Sequence, residues 1–181
     1  MLAPSRDPRA SRRRPALRVH RCGTAAFTLI ELAVVVAIIS IVAAFAVPVA
    51  QHILHQARTA AVENDLRVFA AAIQAYASEN GDWPAGDGTP GAFPAGMQGY
   101  LGQTNWQRTT PIGGNYAWDP NSTQQGNHYR AVIVIASSPD NPVSSDRLQL
   151  TEIDQKIDDG DLTAGTLQLG YRNYPFYVLE P

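Results

Sequence analysis

The chain has 181 residues, 45% of them apolar, and a formal net charge of −2; it is long enough for one modest core. That mild charge hides an asymmetry, because residues 1–26 hold seven of the 14 basic residues (Arg6, Arg9, Arg12, Arg13, Arg14, Arg18 and Arg21) and only one acid, Asp7. Residues 27–181 carry 7 basic and 15 acidic residues, a net −8 that argues against nucleic acid as a partner of the folded part.

The single cysteine, Cys22, also lies in the basic leader, so an internal disulfide is excluded. Val19-His20-Arg21 ahead of it lack the apolar approach of a lipoprotein site.

Phe27–Val47 is an apolar run of 21 residues whose only ionisable member is Glu31; Thr28 and Ser40 are its other polar residues. As a helix it measures roughly 31 Å, about the thickness of a bilayer core. The arginines before it hold that flank in the cytoplasm and send the chain after Val47 to the other side. A secretory signal peptide has a shorter apolar stretch followed by a small-residue cleavage site. Here the small residues Gly23, Thr24, Ala25 and Ala26 precede the stretch, so a cut there leaves the apolar helix on the mature protein. A carboxylate one turn inside such a span is expensive when unpaired and therefore marks a function.

Ala26-Phe27-Thr28-Leu29-Ile30-Glu31-Leu32 and the Val/Ile/Ala run to Pro48 resemble the N-terminal signature of type IV pilins and type II secretion pseudopilins. The resemblance covers about Gly23 to Ala77. It implies that a prepilin peptidase cuts between Ala26 and Phe27, that the new amino group of Phe27 is methylated, and that Glu31 pairs with the Phe27 ammonium of a neighbouring subunit. The residue before the cut is usually Gly in this family; here it is Ala26. Gly23 is the alternative cut, but it places Glu31 eight residues from the new terminus instead of five. The resemblance also implies that Pro48 marks a weak point of the helix during assembly.

Proline removes one helical hydrogen bond without necessarily ending the helix. After Pro48, Val62, Leu66, Phe69, Ile73 and Tyr76 recur at spacings of 4, 3, 4 and 3, while Arg58, Glu63, Asn64, Arg67, Gln74 and Glu79 lie opposite. Asn80-Gly81 is a stop signal. The pattern predicts one helix over 27–80, transmembrane over 27–47 and amphipathic beyond.

Residues 81–128 form a long Gly- and Pro-rich stretch with Trp83, Trp106, Tyr116 and Trp118. It reads as an ordered loop pinned by aromatics, with a short strand at Asn115–Trp118; glycan binding by those rings is the weaker alternative to core packing. Tyr129–Ala136 is rich in β-branched residues and reads as a central strand. Leu150–Asp158 reads as a short helix with Thr151 as its cap and Glu152 and Asp154 near its positive end. Thr166–Tyr171 and Tyr174–Leu179 read as a hairpin around Arg172-Asn173. The expected fold is α+β, a long N-terminal helix packed on a small antiparallel sheet of three or four strands. The division is a leader over 1–26, the helix over 27–80 and a globular domain over 81–181.

His52 and His55 stand three apart on one helical face, but no third ligand is near in sequence, and a solvated or interfacial role is the better reading. Asp158-Asp159-Gly160-Asp161 suits a hard cation, so Asp158, Asp159 and Asp161 are candidate calcium ligands; Asp-Gly is also an ordinary turn signal. Beyond that, no cofactor is expected. His128 and scattered Ser and Asp residues lack a nucleophile-elbow context, and there is no phosphate-binding loop or His-Glu-x-x-His, so an enzyme is not expected.

The resemblance implies a structural subunit of a helical envelope filament, a type II secretion pseudopilus ahead of a type IV pilus. Its implied partners are the prepilin peptidase, identical or homologous subunits, an inner-membrane assembly platform and the lipid bilayer. The implied location is the bacterial inner membrane, single-pass, with a cytoplasmic N-terminus and a periplasmic domain, then the filament. The competing class is a membrane-anchored periplasmic binding domain, which has no need of Glu31.

Overall fold

The computed structural model describes residues 27–181. The leader and Ala26 lie outside the described residues.

Helix α1 runs Leu29–Asn80, 52 residues with Pro48 inside it. The helical backbone therefore continues past the proline. It stops where the sequence predicts: Gly81 takes a left-handed φ of 78°, and its N–H bonds the Ala77 carbonyl at 2.8 Å. The chain divides into two compact units at Ala43/Ala44.

In the first unit the apolar side chains of α1 are exposed on every face, as at Leu29 (88%) and Ile39 (60%). Helix α1 as a whole, Leu29–Asn80, is long and apolar enough to cross a membrane, with a mean hydropathy of 2.9 over an 18-residue window.

In the second unit α1 buries one stripe: Thr59, Val62, Asp65, Leu66, Phe69, Ala70 and Ile73. Tyr76, the last residue of the predicted stripe, is half-buried. Each large apolar member contributes about 1.5–3 kcal/mol by leaving water. The stripe packs on a four-stranded antiparallel sheet: β1 (Asn115–Gln124), β2 (Asn127–Ala136), β3 (Leu167–Leu169) and β4 (Pro175–Glu180), in the order β1-β2-β4-β3. The α+β expectation is thus met, with four strands.

β2 is central, as its composition predicts. Ala131, Ile133 and Ile135 join the helix-side core, while Val132, Val134 and Ala136 form a second cluster with Phe176 and Tyr129 on the other face. Burial on both faces explains why this strand reads as an unbroken apolar run.

β1 is longer than the four residues expected. It continues through Asp119-Pro120-Asn121-Ser122, with Pro120 opposite Ala131. β1 is an edge strand, where proline removes no needed ladder bond. Its outer edge is covered by the preceding loop, because Gly88 and Gly91 donate their N–H groups to the carbonyls of Trp118 and Tyr116. Gln125 and Gly126, both at positive φ, make the tight turn into β2.

The loop between α1 and β1 is ordered around aromatics and one helical turn, α2 (Gln98–Leu101). Trp106 and Trp118 are buried, and their indole N–H groups donate to the carbonyls of Ala92 and Pro84, each at 2.7 Å. Phe69 packs edge-on against Trp106 and Tyr116, with ring centroids 5.1 and 4.7 Å away. Rings buried in this way have no face for a glycan; only Trp83 is partly exposed, and its N–H bonds Glu180 at 2.6 Å.

The second helix departs from expectation at its start. α3 spans Arg147–Ile157, and its cap is Asp146, which accepts from the N–H groups of Leu148 and Gln149. Thr151 is inside the helix, so Glu152 and Asp154 are not at its positive end. Asp is as good a cap as Thr, and the exposed Leu148 hides the true start from a periodicity argument. The terminal hairpin forms around Arg172-Asn173, both at positive φ.

Candidate functional site

The first turn of α1 forms a reciprocal cap. The Thr28 N–H donates to Glu31 Oε2 at 2.8 Å, the Thr28 hydroxyl donates to the same oxygen at 2.9 Å, and the Glu31 N–H donates to Thr28 Oγ1 at 3.3 Å. This is a capping box, Thr-x-x-Glu, which satisfies backbone donors that a helix start otherwise leaves open. A carboxylate in this position also faces the positive end of the helix dipole. The bonds in the box use only Oε2, so Oε1 is left for an external donor. Phe27, 84% exposed, precedes the box, so a new amino terminus at Phe27 lies next to Thr28 and four residues ahead of this carboxylate in sequence.

Thr28 is the residue that sequence reasoning passed over. Its signal was present as Thr28-Leu29-Ile30-Glu31, the capping-box spacing, but the apolar run drew attention to Glu31 alone. Pro48 is exposed within α1, and its missing N–H leaves one carbonyl of the preceding turn unbonded by the helix.

The two histidines separate. His52 is exposed, with Nε2 2.9 Å from the Gln56 amide nitrogen. His55 ties α1 to α3: Nδ1 lies 3.0 Å from Glu152 Oε2, and Nε2 3.6 Å from Asp146 Oδ2. Carboxylates on both sides of one ring make a bridge between elements, not a metal pair.

Asp65 is a buried acid within the apolar stripe, and it too was missed. It accepts from the Tyr116 hydroxyl at 3.1 Å and from the Asn105 amide at 3.2 Å, so one carboxylate joins α1, the loop and β1. Burial pushes the Tyr116 phenol well above its ordinary range, and the Asp65 charge adds to that.

Asp158, Asp159 and Asp161 fall in the exposed loop between α3 and β3 and accept bonds from that loop's own backbone. Among the described residues, no three His, Cys, Asp or Glu side chains stand in a ready-made metal arrangement.

Residues 21–47 match the prokaryotic N-terminal methylation motif. The fold is similar to that of the major type IV pilin PilA1 from Clostridium difficile, with a TM-score of 0.50 and 20% identity over 70% of this chain and 97% of that one. No curated protein matches the chain by sequence. The methylation motif thus opens a fold, a long N-terminal helix on a four-stranded antiparallel sheet, that is similar to that of a type IV pilin.

Proposed function

We propose that the mature chain, starting at Phe27, is a structural subunit of a helical envelope filament. The observation that carries this reading is the methylation motif over residues 21–47, with Glu31 at the start of a helix whose next stretch is apolar on every face. A plain anchor requires neither the motif nor the acid.

In this reading a prepilin peptidase cuts after Ala26 and the Phe27 amine is methylated. Until then Glu31 is held by its own Thr28, which offsets part of the cost of a carboxylate in lipid. Its second oxygen is left to take the ammonium of a neighbouring subunit. A charge pair in a low-dielectric surrounding gains strongly from contact, while desolvation offsets much of that gain. Its main effect is on register, because a mismatch of one turn leaves both charges buried and unpaired. The subunit waits in the bacterial inner membrane with its domain on the periplasmic side, and an assembly platform draws it into the filament.

Between filaments, we favour a type II secretion pseudopilus. No cysteine follows Cys22, so the domain cannot carry the disulfide-closed loop of many adhesive pilins. A type IV pilus subunit is the second reading, favoured by the likeness to a major type IV pilin.

The test is N-terminal sequencing and intact mass of membrane-extracted protein from cells with and without a prepilin peptidase. A peptidase-dependent start at Phe27, one methyl heavier, is expected; a start at Met1 in both strains defeats the proposal. Glu31→Ala is expected to be cleaved normally yet to yield no filaments in the same cells, and normal filaments from it would mean that the carboxylate has no part in assembly.

A further inference from the structure

Trp106, Tyr116 and Trp118 are spent on the core, but Trp83 is not. It is partly exposed, and two open cavities of about 500 Å³ each lie against it, both lined by Asp82, Trp83 and Arg130. Clefts that hold small ligands are of this size. The end of α1, the loop after it, β2 and β4 meet at this corner, and the filament reading gives it no role.

The side chains around the ring are set in place. Glu180 divides its carboxylate: Oε2 accepts the Trp83 indole N–H and Oε1 accepts from Arg130 Nη1, each at 2.6 Å. Trp118 backs the Trp83 ring, with centroids 5.9 Å apart and planes tilted by 45°. Ring and guanidinium are thus fixed before any ligand arrives, which lowers the ordering cost of binding. The Arg130 side chain is 55% exposed, and its bond to Glu180 uses one of the five N–H donors of a guanidinium. Small residues keep the space open, Ala77 and Gly81 in the first cavity and Ala85 and Gly86 in the second. At Gly86 an added Cβ would stand 2.5 Å from Trp118 Cδ1, closer than packed atoms approach, so that wall stays bare.

The chemistry of the lining selects the ligand. Apart from one indole, the long side chains here are polar: Asp82, Arg130 and Glu180 around the ring, Gln74 on one side and Asn121 on the other. Carboxylate, amide and guanidinium groups accept from and donate to adjacent hydroxyls, while an indole takes up an apolar C–H face. A sugar ring carries both kinds of surface. Two acids against one arginine, on residues 27–181 of net −8, oppose a polyanion. We propose that the Trp83–Arg130 corner binds an uncharged oligosaccharide, with one sugar ring on the open part of Trp83 and its hydroxyls bonded to Arg130 and Asp82. Such binding needs only the folded domain and is independent of the filament reading.

The probes are maltopentaose, cellopentaose, mannopentaose and chitopentaose, titrated into the full-length protein in a detergent without a sugar headgroup and followed by saturation-transfer NMR. Saturable binding of at least one is expected, with a Kd of about 1 mM or below. Absence of binding by all four up to about 10 mM overturns the proposal. Trp83→Leu is expected to weaken binding by about tenfold or more. Trp83 also packs against the rim of the core, so Arg130→Gln, at an exposed position that lines both cavities, supplies the second variant. It is expected to keep the thermal transition of the parent and to bind several-fold more weakly; undiminished binding overturns the proposal. So does tighter binding of trigalacturonic acid than of any uncharged probe, which would make the corner an anion site centred on Arg130.

Discussion

The stretches of α1 before and after about residue 55 are built from similar apolar residues, yet they treat them oppositely. From Leu29 to Leu54 the large apolar side chains are half or more exposed on all sides of the helix. From Thr59 to Ile73 the buried residues recur every three or four positions, and the remaining sides carry Glu63, Asn64 and Arg67 among small residues and Val68. A helix that is apolar all round finds its partner in lipid or in other such helices, whereas a striped one finds it in its own domain. The difference is one of pattern as well as of hydrophobicity, and it lets one secondary-structure element serve two environments.

Deleting one large side chain from the core that the striped stretch packs on, and one from the exposed stretch, tests that contrast most severely. Trp106→Ala removes a buried ring that packs on Phe69 and also strips the Ala92 carbonyl of its donor. A loss of about 3–5 kcal/mol in domain stability is expected, seen as a collapse of the thermal or denaturant transition of the detergent-solubilised protein. Ile38→Ala, at a position 57% exposed, is expected to leave that transition where it was. Equal effects from the two would end the comparison.

Asp65 sharpens the contrast within the striped half, because it is an acid on the buried side. Asp65→Ala leaves the Tyr116 hydroxyl and the Asn105 amide without an acceptor. The expected loss is about 1–3 kcal/mol, read from the same transition. Asp65→Asn keeps one carbonyl acceptor and is expected to recover part of it. If Asp65→Ala is as stable as the parent, the carboxylate is not what joins helix, loop and β1.

These residues also mark how far the sequence could be read. The stripe, the central strand, the helix stop and the terminal hairpin were legible because each rests on local pattern: spacing, β-branching, or a turn residue at positive φ. The long β1 was not, because an edge strand tolerates Pro120 and polar neighbours that disqualify a central one. The start of α3 was hidden for a similar reason, since Asp146 is a cap with an exposed leucine behind it. Asp65 is the deeper failure. It is an acid held by Asn105 and Tyr116, far along the chain, and no window of residues reports that. Thr28 was different, since its spacing to Glu31 was readable and simply outweighed by the louder signal beside it.

The smallest expected effect belongs to Thr28, and it bears on the exposed half of the helix. Thr28→Val removes the hydroxyl that donates to Glu31 and accepts from the Glu31 N–H, yet keeps the backbone donor at 2.8 Å. Losing a cap of this kind costs about 0.5–2 kcal/mol, and here the low end applies because one arm of the box survives. The expected readout is local: faster amide exchange over the first turn, from Leu29 to Leu32, in micelles, with the domain transition unmoved. If the carboxylate of Glu31 is held by Thr28 until a neighbour's amine replaces that hold, loosening the box also frees Glu31 earlier. Filament formation by Thr28→Val should then persist, in contrast to its loss in Glu31→Ala. A Thr28→Val protein as defective in assembly as Glu31→Ala would mean that the hydroxyl acts in the filament itself, and that the box is more than the resting state of the carboxylate.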